Sequence, residues 1–137
     1  FCAGGDLNWM RQQAGQGESE NRADALRLYE MFLSVQDCPV PVIAQVHGAC
    51  FGGGCGIAAA ADIVIAAEDA KFAFSEAKLG LVPATISPFV KAKVGSASRE
   101  LFVTAQVFSA EQAKSIGLVN RVVIREELMS TVEATLQ

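Results

Sequence analysis

One stretch decides the fold: Val42-Ile43-Ala44-Gln45-Val46-His47-Gly48-Ala49-Cys50-Phe51-Gly52-Gly53-Gly54. Its first five residues are mostly apolar and β-branched, which is typical of a short buried strand. Residues 47–54 contain four glycines and are predicted to form a loop. Small residues follow at positions 55–61 and predict a short helix. The order of strand, glycine loop and helix is typical of layered α/β proteins.

Segments of strand and helix character alternate on both sides of this stretch. Further strands are predicted at residues 63–66, 71–74 and 118–124. Helices are predicted at residues 21–36, 87–93, 96–105, 109–117 and 125–137. Ser109 is followed three residues later by Gln112, the pattern of a capping box. The alternation favours an α/β fold with mostly parallel strands, in which residues 1–137 form part of a single domain.

Composition excludes several classes of protein. Of the 137 residues, 51% are hydrophobic and only 19% charged, which excludes a disordered chain or a coiled coil. The net charge is -4 with no basic cluster, so we expect no nucleic-acid partner. The apolar segment at residues 39–67 is interrupted by prolines, glycines and Asp62, so we expect no membrane span.

The cysteines indicate a reducing, cytoplasmic location. Cys2, Cys38, Cys50 and Cys55 form no CxxC pair and His47 is the only histidine, so neither a zinc site nor any other metal site is expected. Unpaired thiols without a signal peptide are typical of intracellular proteins. The chain opens at Phe1 rather than at methionine, and we expect it to be an internal piece of a longer protein.

Two glycine-bearing loops are candidates for binding an anion or a developing oxyanion. Gly52-Gly53-Gly54 precedes a helix, whose first N–H groups have no internal partner and whose dipole is positive at that end. Gly4-Gly5 forms a second loop, which Asp6 can fix by accepting backbone hydrogen bonds. Either loop alone could be a simple turn. Together they offer the two converging donors of an oxyanion hole.

Glu76 is the candidate acid or base. It follows the apolar strand predicted at residues 71–74, and a carboxyl in apolar surroundings has a raised pKa suited to proton transfer near neutrality. A surface ion pair with Lys78 is the plainer alternative.

Other notable residues have structural interpretations. Asp62 is expected to fix the backbone between helix and strand, and His47 to lie in a turn or the core. Trp9 and Met10 are interpreted as packing residues. Residues 54–59 fit the G-x-G-x-x-A outline of a dinucleotide site. The first glycine stands well after the preceding strand, and the helix is short for a crossover, which argues against that site.

The motifs together resemble the crotonase (enoyl-CoA hydratase/isomerase) superfamily. The resemblance covers nearly the whole chain in the family's order. It rests on Phe1-Cys2-Ala3-Gly4-Gly5-Asp6-Leu7, Pro41 to Gly48 with Gly52-Gly53-Gly54 and Ala61-Asp62, Ala70-Lys71-Phe72 to Glu76 with Gly80-Leu81-Val82-Pro83, and Phe108-Ser109-Ala110 with Ala113 and Gly117-Leu118-Val119. It implies a ββα-superhelix core whose N- and C-terminal parts lie outside this chain.

The resemblance also implies roles for four residues. The N–H groups of Gly5 and Gly53 would hold a thioester oxygen, Glu76 would transfer the proton, and Ala3 would contact the CoA adenine. The substrate would be an acyl-CoA thioester, with no cofactor and no metal, and the full-length protein would be a homotrimer or hexamer.

The family's two-carboxylate hydratases carry a glutamate where this sequence has Gly56. Residues 80–89 are similar to bacterial methylglutaconyl-CoA and isohexenylglutaconyl-CoA hydratases of leucine and terpene breakdown, which favours hydration of a branched 2-enoyl-CoA. A Δ-isomerase with one carboxylate, another acyl-CoA enzyme and a non-catalytic acyl-CoA-binding protein are the alternatives.

Overall fold

The computed structural model describes residues 1–137. Seven α-helices and six strands alternate along the chain, together with two short 3-10 helices. The strands are β1 (Ile43–Val46), β2 (Ala49–Phe51), β3 (Ile63–Ala67), β4 (Lys71–Ala73), β5 (Phe108–Ser109) and β6 (Arg121–Val123). The α-helices are α1 (Leu7–Gln13), α2 (Glu18–Gln36), α3 (Gly53–Ala60), α4 (Ser87–Val94), α5 (Ala97–Thr104), α6 (Ala110–Ser115) and α7 (Leu128–Thr135). The 3-10 helices are Ser75–Leu79 and Arg125–Glu127.

The strands form two three-stranded sheets. One has the order β1-β3-β6 with parallel pairing throughout, and the other has the order β2-β4-β5. In the second sheet β2 and β4 are parallel, whereas β5 is antiparallel to β4. Successive strands therefore enter different sheets before a helix returns the chain, which is the ββα repeat. The predicted α/β fold with mostly parallel strands is confirmed.

The core lies between the helices and the two sheets. Phe32, Phe72 and Phe74 are fully buried, and burial of such a side chain contributes roughly 1.5–3 kcal/mol. Phe32 of α2 packs on Phe89 of α4, with ring centroids 5.7 Å apart. Helix α3 consists of glycine, alanine, cysteine and one isoleucine, so it fits closely between these aromatic residues and the strands.

The structure differs from the sequence prediction in several places, of which two border the glycine loops. Residues 47–54 are not all loop, because β2 lies within them and α3 begins at Gly53. Strand β2 is only three residues long and is stabilised by pairing with β4, some twenty positions further on, so no local signal marks it. Helix α1 was not predicted, and it begins where Asp6 accepts hydrogen bonds from Asn8 N and Trp9 N.

The remaining predicted helices are present with small shifts at their ends. The capping box at the start of α6 is confirmed, because Ser109 N donates to Gln112 Oε1 (2.9 Å) and Gln112 N donates to Ser109 Oγ (3.2 Å). The segment 125–137 begins as a 3-10 turn and continues as α7. None of the helices combines the length and apolar character needed to cross a lipid bilayer.

Candidate functional site

A cavity of about 600 Å³ opens beside α1 and α2, with a mostly apolar wall. The four residues that the family resemblance selected, Ala3, Gly5, Gly53 and Glu76, all line it. The wall is completed by Cys2, Gly4, Leu7, Trp9, Met10, Leu28, Met31, Phe32, Gly52, Ile57, Ser75, Lys78, Leu79, Leu81, Val82, Pro83, Thr85 and Ile86. The cavity is thus lined by residues that lie between Cys2 and Ile86 in the sequence.

Backbone pairing brings the two glycine loops together. Cys2 forms a parallel bridge with Cys50 of β2, since Cys2 N donates to Ala49 O (3.0 Å) and Phe51 N donates to Cys2 O (2.9 Å). The first loop therefore leaves this bridge beside the start of α3. Gly4 adopts a φ of 103°, which favours glycine, and a Cβ there would lie 3.3 Å from Phe51 O.

Two backbone donors on the cavity wall are free. Neither the N–H of Gly5 nor that of Gly53 donates to any group of the chain. Gly53 is the first residue of α3, so its N–H lies at the positive end of the helix dipole. Free N–H groups on two adjoining loops are suited to a carbonyl oxygen on which negative charge develops.

Glu76 supplies the cavity's only carboxylate. It lies in the 3-10 helix Ser75–Leu79, directly after β4, and its Oε2 is buried without a hydrogen-bond partner. Burial raises the pKa of the Glu76 carboxyl above its ordinary value of 4.5, in the predicted direction. The alternative ion pair with Lys78 does not form, because the ion pairs of the chain are Asp24–Arg27 and Asp69–Arg125.

The position of Gly56 is closed by packing. A Cβ on Gly56 would lie 2.9 and 3.0 Å from Phe32 Cε1 and Cζ, and closer still to Ile86 Cγ2. Both neighbours are buried, with exposures of 0% and 2%. A side chain at position 56 would therefore meet Phe32 and Ile86 rather than open space. The chain has an apolar contact where two-carboxylate hydratases carry a glutamate.

The close packing of α3 also argues against the dinucleotide interpretation. A Cβ on Gly54 would meet the backbone of Cys2, with its carbonyl carbon at 3.1 Å and its oxygen nearer. Both glycines of the G-x-G-x-x-A outline are thus required for packing inside the protein, and neither lines the cavity.

The predicted role of Asp62 is confirmed, and Trp9 and Met10 lie outside the core. Asp62 Oδ2 accepts a 2.8 Å hydrogen bond from Val42 N and fixes the entry to β1. Trp9 and Met10 lie on the cavity wall rather than in the core, and α1 has no buried residue. The sequence did not predict that the cavity wall includes Leu28, Met31 and Phe32. Their i, i+3, i+4 spacing marks one face of α2 and was the available signal.

Comparison with known proteins shows to which family the chain belongs. The sequence profile described as "Enoyl-CoA hydratase/isomerase" matches residues 1–137. This chain belongs to the enoyl-CoA hydratase/isomerase family.

Individual family members are similar over nearly all of the chain. A Legionella pneumophila crystal structure with the provisional description enoyl-CoA hydratase/isomerase (crotonase) is 46% identical, with a TM-score of 0.94, covering 98% of this chain and 52% of that one. A Mycobacterium smegmatis enoyl-CoA hydratase is 39% identical with a TM-score of 0.93, over 99% of this chain and 52% of that one.

A carnitinyl-CoA dehydratase of Salmonella paratyphi A is 38% identical over 96% of this chain and 49% of its own length. The chain spans about half the length of the curated relatives it matches.

Proposed function

We propose that the protein is a hydratase that adds water across the double bond of a branched 2-enoyl-CoA thioester, with Glu76 as its single carboxylate. The observation that carries the proposal is the position of Glu76. Glu76 lines the apolar cavity that also holds the free N–H groups of Gly5 and Gly53, and its Oε2 is buried without a hydrogen-bond partner. An acid–base group and an oxyanion hole in one cavity are what an enolate-forming reaction needs.

In the proposed complex, the thioester oxygen accepts hydrogen bonds from Gly5 N–H and Gly53 N–H. The CoA part passes Ala3, which is exposed at the cavity, and the acyl chain lies along the apolar wall. Both donors are held by backbone structure, so little reorganisation is required when charge moves onto the oxygen.

Proton transfer then needs only Glu76. As the water oxygen bonds to C3, its proton passes to the carboxylate and the C2=C3 electrons move to form the enolate at the thioester oxygen. Glu76 next returns the proton to C2, and the thioester carbonyl is restored. The raised pKa favours both roles near neutrality, because the group can accept a proton and release it again.

A second carboxylate on the substrate is supported by Lys78. It is the only basic residue of the cavity wall and is exposed at its rim. Its ammonium can pair with the distal carboxylate of 3-methylglutaconyl-CoA. We expect Lys78→Met to raise KM for this substrate about fivefold, and to leave KM for the uncharged 3-methylcrotonyl-CoA unchanged. Equal effects on both substrates would remove Lys78 from substrate selection.

A Δ-isomerase is the second candidate, and the closed position at Gly56 favours it. One carboxylate suffices to move a proton between C2 and C4, and no second one is needed to activate water. The two candidates differ in whether oxygen enters the product.

The deciding experiment incubates the complete protein with 3-methylglutaconyl-CoA in oxygen-18 water. A hydratase places the heavy oxygen on C3 of the product, which mass spectrometry detects. A shifted double bond without oxygen uptake, across branched and straight substrates, would establish the isomerase instead. Thioester binding without either reaction would leave a binding protein or another acyl-CoA chemistry. A trimeric or hexameric assembly, a cytoplasmic location and the lack of a cofactor stay predictions.

A further inference from the structure

Two side-chain oxygens border one recess in the cavity wall at Gly52. A Cβ built on Gly52 would lie 3.5 Å from Ser75 Oγ and 3.4 Å from Glu76 Oε1. The two oxygens therefore lie on the same side of this residue. Gly52 has a φ of 51°, and its N–H donates to Ala73 O at 2.9 Å, which fixes the recess to β4. A side chain at position 52 would be strained, so glycine is favoured there and no Cβ fills the space beside the two oxygens.

The hydroxyl of Ser75 has no partner within the chain. Other serines of the protein, such as Ser98 and Ser130, donate to a carbonyl oxygen one turn earlier. Ser75 starts the 3-10 helix that carries Glu76 and lines the cavity beside it. Its oxygen can therefore accept or donate a hydrogen bond to a small molecule in the recess.

The recess adjoins the atoms that would hold a thioester. Gly52 directly precedes Gly53, whose free N–H is the proposed donor to the thioester oxygen. In a 2-enoyl thioester, C3 is only two bonds from the carbonyl carbon. A water between Ser75 Oγ and Glu76 Oε1 would thus be close to the carbon that it attacks.

We infer that Ser75 is a positioning residue for the attacking water, taking the place that a second carboxylate would have had. This inference rests on the proposed hydratase function. Ser75 Oγ accepts a hydrogen bond from one O–H of the water, Glu76 accepts the proton from the other, and the oxygen lone pair is directed to C3. Ser75 itself is unchanged: the O–C3 bond forms, the water proton moves to Glu76, and Glu76 later delivers it to C2.

The test compares Ser75→Ala with Ser75→Thr in the complete protein, by two reactions. Hydration of 3-methylglutaconyl-CoA needs the positioned water. Exchange of the C2 protons of butyryl-CoA with deuterated water, followed by NMR, needs Glu76 and the oxyanion hole but no attack on C3. We expect Ser75→Ala to lower kcat of hydration about tenfold, with KM and the exchange rate within twofold of the unmodified protein. Ser75→Thr, which keeps the hydroxyl, should restore most of the hydration rate. Ser19→Ala, at an exposed serine of α2, is the matched control.

Three results would overturn the inference, and they are distinguishable. If the unmodified protein hydrates and Ser75→Ala keeps its kcat, Ser75 does not position the water, while the hydratase proposal stands. Equal loss of hydration and exchange, without recovery in Ser75→Thr, would show general damage to the site. If the unmodified protein exchanges butyryl-CoA protons but hydrates no enoyl-CoA, the hydratase proposal itself fails and the role of Ser75 fails with it.

Discussion

Gly56→Ala tests whether packing closes the position of the missing second carboxylate. The added methyl would overlap Ile86 Cγ2 and lie 2.9 Å from the Phe32 ring, and both side chains are buried. Overpacking of this kind costs about 1–3 kcal/mol, and the severe overlap places this site at the upper end. Replacing glycine by alanine inside a helix returns about 1 kcal/mol. We therefore expect a net loss of about 2 kcal/mol in the free energy of unfolding.

The measurement is the urea midpoint and melting temperature of the complete protein. Gly53→Ala is the matched control, because a Cβ there lies 3.8 Å from Phe32 Cζ, an ordinary contact, and the N–H is kept. Ile86→Ala alone should cost about 2–4 kcal/mol by leaving a cavity. In the double variant Gly56→Ala/Ile86→Ala the new methyl enters the vacated space, so the two losses should be less than additive by about 1 kcal/mol or more.

A stable Gly56→Ala variant would refute this reasoning. Stability equal to or above that of the unmodified protein would mean that Phe32 and Ile86 yield at little cost. Additive losses in the double variant would mean that the two sites do not share a contact. In either case the protein would also have room for a carboxylate in Gly56→Glu. Our reasoning predicts instead that Gly56→Glu unfolds or loses activity.

Three further predictions concern the proposed catalytic groups. Gly53→Pro removes the N–H at the first position of α3, where proline is tolerated, and should lower kcat of the folded protein 100-fold or more. Gly53→Ala, which keeps the N–H, should be near normal by the same kinetic assay. Glu76→Gln should lower turnover at least about 100-fold. Burial raises the pKa of Glu76 in the folded protein, so the neutral carboxyl is the form that favours folding. Its contribution to the free energy of unfolding is complete below pH 4.5 and is lost as pH rises through the raised pKa. The melting temperature of Glu76→Gln should therefore be higher than that of the unmodified protein at pH 8 and close to it at pH 4. A lower melting temperature at pH 8 would contradict the burial of the carboxylate without a hydrogen-bond partner.

Elements with a local signal could be predicted from the sequence. Strand β1 has β-branched apolar residues and α6 has its capping box, so both are recognisable within a few positions. Strand β2 could not be predicted, since it is held by β4 and by Cys2, which are distant in sequence. The antiparallel pairing of β5 on β4 depends in the same way on long-range packing of Phe108 on Phe72, with ring centroids 5.8 Å apart.

The candidate site was likewise predictable only where its residues have a local signal in the sequence. Glycine runs and a glutamate after an apolar strand are visible in the sequence, and the family resemblance gave them roles. The position of Trp9 and Met10 on the cavity wall could not be predicted, because an apolar residue at helical spacing has the same pattern whether it faces a core or a cavity. The packing around Gly56 could not be predicted either, since Phe32 lies in α2 and Ile86 directly precedes α4, about fifty positions further along the chain.

Several features of the cavity wall are unfavourable for folding taken alone. Gly5 and Gly53 leave N–H groups without acceptors, Glu76 buries an oxygen without a donor, and Gly52 holds a left-handed conformation. A single buried polar atom without a hydrogen-bond partner does not mark a site, because Lys93 Nζ is such an atom and Lys93 is not part of the cavity wall. The combination does, since free N–H donors and a carboxylate in the same cavity are complementary to a ligand that has both a carbonyl oxygen and a transferable proton. A thioester about to form an enolate has both, and this is the physical reason to place the chemistry in this cavity.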